Sequence, residues 1–212
     1  MTMWMTTLFS LALAAGGNAD LKKIDQATAF LRGSNGRKII VEKTVVYDLL
    51  DKTQTFKGVI TLSNNKFRWE TSEPEKSLIV FDGKTLLTLQ YPPAELGGPV
   101  QVTRSRLNGK AKDQVLLGLL AGREKFSGRF KINSTKKDGK LKTYELEPLK
   151  ADPSVRRFSI AIEDPAKLKE ISYVDEVNNK TAIRIIKHEA VKNPAAKLFE
   201  VKLPKDAEVT DL

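Results

Sequence analysis

Residues 77–87 read Ser-Leu-Ile-Val-Phe-Asp-Gly-Lys-Thr-Leu-Leu, and their interpretation settles how the rest of the chain is read. The Gly83-Lys84-Thr85 triplet has the look of a phosphate-binding loop. Such a loop needs a glycine five positions before the glycine of the triplet, and Leu78 stands there. The flanking residues are aliphatic, β-branched and aromatic, with no flexible stretch among them. Asp82-Gly83 between two such runs predicts a tight hairpin, because the central positions of these turns demand positive φ. The stretch is therefore a pair of antiparallel strands.

Working outward, the same signature recurs along nearly the whole chain. Strands are predicted at 39–50, 55–62, 66–70, 77–81, 84–91, 100–106, 126–133, 141–147, 155–163, 168–175, 181–188 and 197–203, separated by turn residues such as Asn64-Asn65, Pro92-Pro93 and Gly97-Gly98. Helical spacing is confined to 20–31, where Leu21, Ile24, Ala27 and Leu31 share a stripe, and to 112–121. Several strands alternate cleanly. Phe158, Ile160 and Ile162 oppose Ser159, Ala161 and Glu163; Tyr144 and Leu146 oppose Glu145 and Glu147; Phe199, Val201 and Leu203 oppose Glu200 and Lys202. Period two sends one set to each face, which is how an antiparallel sheet buries one side and wets the other. A sheet of eleven or twelve strands coils rather than lying flat, so its apolar side becomes concave. Two short helices cannot roof that concavity, and the interior either packs itself or holds something apolar.

The 212 residues have an ordinary globular balance, 41% hydrophobic and 29% charged, and no Pro-, Gly- or Ser-rich linker divides them. Residues 1–19 carry no charged side chain and centre on the apolar run 8–15, which is too short to span a bilayer. With the small residues Gly17 and Ala19 before Asp20, this reads as a signal peptide, leaving one domain at 20–212. The net charge of +10 invites comparison with nucleic-acid binders. Its densest groups, Lys136-Lys137 with Lys140 and Lys142, and Arg156-Arg157, have no aromatic interleaving of the kind that stacks bases, and read as solvated faces.

No catalytic constellation emerges. Cysteine is absent and histidine occurs once, as His188, so thiol chemistry, disulfides and the usual zinc sets have no ligands. The carboxylates fall on the wet positions of alternating strands. Neither a catalytic site nor a metal or cofactor is expected.

Certain segments follow one another in a familiar order: Gly58-x-x-x-Leu62, Phe67-Arg68-Trp69-Glu70, Pro74, the 77–87 hairpin, Asp175-Glu176-Val177-Asn178-Asn179-Lys180-Thr181-Ala182-Ile183, and finally Phe199-Glu200-Val201-Lys202-Leu203-Pro204. In that order they resemble the periplasmic outer-membrane lipoprotein carrier (LolA) family. The resemblance implies a mainly β, half-open antiparallel barrel of about 11–12 strands with a helical lid. It implies a soluble, monomeric periplasmic carrier of acylated lipoproteins, receiving them from an inner-membrane ABC-type releasing complex and passing them to an outer-membrane acceptor. A carrier or sensor of other lipids or glycolipids on the same fold is the alternative. Three departures stand out: Ser63-Asn64-Asn65-Lys66 lacks the arginine that holds the family's lid, Phe81 replaces a serine, and Asn178 replaces a glycine.

On this reading Phe67 and Trp69 make rim contacts, and Leu78, Val80, Leu87 and Leu89 line a shallow aliphatic groove. Leu116, Leu119 and Leu120 form the lid, on a short helix weakened by Gly118. The opposite face of the 77–87 hairpin, with Ile79, Phe81 and Leu86, is also apolar.

Overall fold

The computed structural model describes residues 11–32, 36–93, 95–106, 114–121, 125–150 and 156–212. Twelve strands form one sheet: β1 Arg37–Tyr47, β2 Lys52–Ser63, β3 Lys66–Glu73, β4 Ser77–Phe81, β5 Thr85–Gln90, β6 Gln101–Arg106, β7 Phe130–Asp138, β8 Leu141–Pro148, β9 Arg157–Glu163, β10 Lys167–Val174, β11 Lys180–Ala190 and β12 Glu208–Asp211. Their order across the sheet is β12-β6-β5-β4-β3-β2-β1-β11-β10-β9-β8-β7. Two meanders are thus joined at the centre by β1 and β11, and the described edges are β12 and β7. Mainly β and curved open rather than closed, the fold agrees with the sequence expectation, apart from one parallel pairing at the β12–β6 edge.

Turn chemistry explains the register. At the β4–β5 turn only Gly83 has positive φ (+102°), so the central pair is Gly83-Lys84 rather than Asp82-Gly83. The Asp82 carboxylate accepts the backbone N–H of Lys84 at 2.8 Å and of Thr85 at 2.7 Å, as a turn-initiating aspartate does. Phe81 then faces Leu86, and Val80 faces Leu87. Between β2 and β3, Asn64 (φ 49°) and Asn65 (φ 60°) supply the double positive φ that a two-residue hairpin turn requires. Asn178 has φ 65°, which accounts for the glycine that the resemblance leads one to expect there.

The twelfth strand is not where the alternation of 197–203 placed it. Ala196–Phe199 is a 3-10 turn and Glu200–Leu203 makes no ladder; the strand lies later, at β12. Phe199, Val201 and Leu203 nevertheless point the same way, packing with Leu78, Val80, Leu89 and Val102 on the outer face of β4–β6. An extended chain lying on an apolar surface shows the same period of two as a strand.

The other, inner face carries the helices. Helix α1 spans Leu11–Ala27 and continues into a 3-10 turn at Ala29–Arg32, so it begins nine residues before the predicted start at Asp20 and runs through the predicted cleavage point; residues 1–10 of the predicted leader lie outside the described residues. From Asp20 onward α1 is tied to the sheet. The Asp20 carboxylate accepts Lys142 Nζ at 2.9 Å and Tyr144 Oη at 3.2 Å, Lys23 pairs with Asp164, and Asp25 accepts the N–H of Phe126 at 2.9 Å. Helix α2, Gln114–Leu120, packs on the 3-10 turn after α1 and sets Leu116, Leu117 and Leu120 into the same core.

The two halves of the inner face are filled differently. Under α1 the strands β7–β10 are packed solid: Phe126, Phe130 and Phe158 meet at centroid distances of 5.1–5.8 Å, and Phe158 stacks on Tyr173 at 6.4 Å. Under α2 the β1–β6 half is filled at one end, where Phe67, Phe81 and Leu86 pack in the core, and is hollow at the other.

Candidate functional site

Cross-strand partners in an antiparallel ladder share a face, so register builds the site row by row. Phe67 faces Phe81, which faces Leu86. This lowest row is apolar and closed, with Phe67 fully buried and its ring 5.8 Å from that of Phe81. The next row is Trp69, Ile79 and Thr88, and the uppermost is Thr71, Ser77, Gln90 and Gln101. Above the closed row lies a cavity of about 670 Å³. Its walls are Trp69, Ile79 and Thr88 with the uppermost row, Lys43, Tyr47 and Phe56 from β1 and β2, Glu75 and Lys76 from the β3–β4 connection, Leu116 from α2, Tyr173 from β10, and the loop carrying Tyr91, Pro92, Pro93, Gly97, Gly98 and Pro99. The cavity opens at the end of the sheet where the β1–β2, β5–β6 and β10–β11 connections lie.

Gly58 makes room for one wall. A Cβ at that position would meet Trp69 Nε1 and the carbonyl oxygen of Glu70, each at 2.8 Å, so the indole lies where any larger residue would stand. Lys43 sits with its ammonium 5.6 Å from the Phe56 ring centroid, within cation–π range, and brings one positive charge to the wall. Elsewhere on the inner face, burial and then the Asp20 carboxylate push the Tyr144 phenol up to about 12, so it stays a neutral donor to Asp20.

Of the residues singled out from the sequence, Trp69 and Leu116 line the cavity. Phe67 lies one row below it rather than at the rim, and Leu120 is in the core beneath α2. The side chain of Leu119 lies outside the described residues. Leu78, Val80, Leu87 and Leu89 do not line the cavity: they form the outer face of β4 and β5, under the C-terminal segment. The physical reason is that both faces of this hairpin are covered, one by α2 and the other by Phe199, Val201 and Leu203, so both are apolar. Nor is the groove aliphatic among the described residues, where Ile79 and Leu116 are the Ile, Leu or Val side chains on its walls and rings, prolines and polar groups make up most of the rest. Sequence reasoning placed Ile79 on the other apolar face of the hairpin, the one not chosen, and missed Thr88 and the Thr71–Gln101 row. With Trp69 inside, its pairing with Ile79 across the three-residue Pro74–Lys76 connection and the two-residue β4–β5 turn carry the inside assignment to Ile79 and then Thr88.

His188 takes no part in the cavity. It stacks on Phe30 at 4.5 Å and 12°, and burial, followed by Arg37 and Lys167, holds its pKa below the ordinary 6.5. Among the described residues no cluster of three or more His, Cys, Asp or Glu side chains is placed to hold a metal ion, and no helix is long and apolar enough to cross a membrane.

Residues 42–202 match the family described as outer membrane lipoprotein carrier protein LolA. The chain belongs to the LolA family. Among its relatives, the outer-membrane lipoprotein carrier protein of Chromobacterium violaceum is 29% identical over 180 residues, covering 84% of this chain and 82% of the relative. That of Shewanella frigidimarina is 26% identical over 211 residues, covering 97% and 94%. A solved structure of an uncharacterised conserved protein from Thermus thermophilus aligns with 92% of this chain and 98% of its own, at a TM-score of 0.50 and 12% identity, a likeness of fold alone. In this chain Gly58, Trp69 and the β4–β5 hairpin build one wall: the glycine admits the indole, and the hairpin supplies the strand beside it.

Proposed function

We propose that this chain is an exported periplasmic carrier that shields the acyl chains of lipoproteins in the cavity between the inner face of β1–β6 and helix α2. It acts without catalysis or a cofactor, taking cargo from an ABC-type releasing complex at the inner membrane and delivering it to an acceptor at the outer membrane. The observation that carries this reading is the hollow end of the inner face, a cavity of about 670 Å³ bounded by Leu116 of a seven-residue helix. That volume lies within the roughly 300–1,000 Å³ of small-ligand sites. Each methylene buried contributes about 0.8 kcal/mol, so an acyl chain of roughly fifteen carbons demands cover whenever it leaves a membrane. Family membership supports the lipoprotein as cargo, since the curated relatives bear that name.

The layering suits an amphiphile. Trp69, Ile79 and Leu116 receive a tail, while Thr71, Ser77, Gln90 and Gln101 meet polar ester and amide groups where the cavity opens. The test is equilibrium uptake of a fluorescent triacylated lipopeptide by the purified protein. Uptake at micromolar concentration or below, abolished by Leu116→Asp, is the expected result. Failure with several lipopeptides, together with free lipid recovered by organic extraction of the protein from its native envelope, would instead favour a lipid or glycolipid carrier.

A further inference from the structure

Among the described residues, eleven large apolar side chains are exposed, and six of them sit on the connections at one end of the sheet. Leu49 and Leu50 tip the β1–β2 connection at 81% and 71% exposure; Leu96, at 80%, tips the β5–β6 loop, which Tyr91 enters; Leu149 and Val177 occupy the β8–β9 and β10–β11 connections. Register puts all four connections at the same end, since Tyr47 pairs with Lys52, Gln90 with Gln101, Val174 with Lys180 and Arg157, and Leu146 with Phe158. This is also the end at which the cavity opens. Tyr47, Tyr91 to Pro93 and Gly97 to Pro99 line the cavity itself, while Leu49, Leu50 and Leu96 stand beside them outside its lining.

Exposed leucines scattered singly are ordinary, but a ring of them around one opening is not. The loops hold these tips out without folding over them. The N–H of Asp48 donates to Asn179 Oδ1 at 3.2 Å, joining the β1–β2 and β10–β11 connections, and Asp51 takes a left-handed conformation that turns the chain back with Leu49 and Leu50 outermost. The same end carries exposed Lys52, Lys76, Lys150, Arg156, Arg157 and Lys180, alongside the exposed carboxylates Asp48, Asp51, Glu75, Glu95 and Glu176.

We infer that this rim seats on a lipid bilayer, with Leu49, Leu50 and Leu96 entering the acyl boundary and the lysines and arginines meeting headgroup phosphates. Rings and leucines with basic neighbours are what an interfacial contact uses. The contact rests on the carrier reading in one respect: it holds the cavity mouth against the bilayer surface beside which the proposed releasing complex and acceptor hand over cargo. Because carboxylates offset the basic groups on the β1–β6 side, apolar insertion dominates over charge.

The test is co-flotation of the purified protein with vesicles of phosphatidylethanolamine containing a minority of phosphatidylglycerol. Vesicle binding is expected, and the combined Leu49→Ser, Leu50→Ser and Leu96→Ser variant weakens it by at least about tenfold, with thermal unfolding and lipopeptide uptake unchanged. Leu49→Trp gives a folding-independent readout, namely a blue-shifted emission on adding vesicles. No vesicle binding by the parent protein, equal binding by the triple variant, or unshifted emission overturns the inference. So does rim-dependent retention on a membrane protein with no affinity for protein-free vesicles. Loss of lipopeptide uptake with vesicle binding intact would remove the carrier reading and leave the rim in place.

Discussion

The indole nitrogen of Trp69 lies 2.8 Å from where a Cβ of residue 58 would stand, so the absence of a side chain at Gly58 and the position of the cavity wall are one feature. Gly58→Ala forces either the indole or the β3 backbone at Glu70 to move. The expected cost is about 1–3 kcal/mol of stability, typical of overpacking, read by urea unfolding. In a chain that begins at Asp20, Trp69 is the only tryptophan, since the other is Trp4. Its fluorescence should therefore shift both in this variant and on cargo uptake.

Ile79 and Leu89 separate the two faces of the 77–90 region. Ile79→Ala should weaken lipopeptide binding while costing less than about 2 kcal/mol, because one side of that side chain borders the cavity and has little packing to lose. Leu89 is buried on the outer face, so Leu89→Ala should cost about 2–5 kcal/mol and leave the affinity of the folded protein unchanged. Thermal melts alongside binding isotherms check both.

His188 is the single histidine, so its proton resonances are directly assignable. An NMR titration should find it ionising below 6.5, because burial against Phe30 and the nearby Arg37 and Lys167 disfavour the charged ring. The unfolded chain then binds a proton at a higher pH than the native one. Stability from this group is fully present above about 6.5 and falls as the pH drops from there toward the native value. Phe30→Ala, which uncovers the ring, should return its pKa toward 6.5 and flatten that dependence.

Phe199 anchors the segment that covers the outer face of β4–β6. Phe199→Ala should cost about 3–5 kcal/mol, and hydrogen exchange should show β12 and β6 losing protection first, since β12 is held at that edge by β6 alone.

Much of this was legible from residue patterns. The β9 run Phe158, Ile160, Ile162 and the β8 pair Tyr144, Leu146 are buried as their alternation predicts, because that side of the strands joins the main core, while on the other side Ser159 and Glu163 are half-buried and Ala161 is buried against the alternation. Asn64-Asn65 placed a hairpin because few residues tolerate its backbone. The cavity was harder to read. On β4 and β5 two different segments cover the two faces, so Leu78 and Ile79 are equally apolar neighbours and periodicity carries no sign of which is inside. β12, reading Glu-Val-Thr-Asp with every residue exposed, has no burial pattern to find and exists through pairing with β6. At Leu203 the reverse holds, for alternation was present without a ladder.

The chain's path through the sheet also governs when the molecule can be completed during synthesis. The central pairing joins Arg37 to Ala190, and the cover of β4–β6 comes from residues later still. A chain emerging from its amino end can assemble the β1–β6 meander early, but that sheet then has a bare greasy back and an unpartnered central strand until the last few dozen residues arrive. Truncations near the carboxyl end should consequently behave as aggregating fragments rather than as shortened carriers, and any pause before residue 190 leaves both surfaces open to a chaperone.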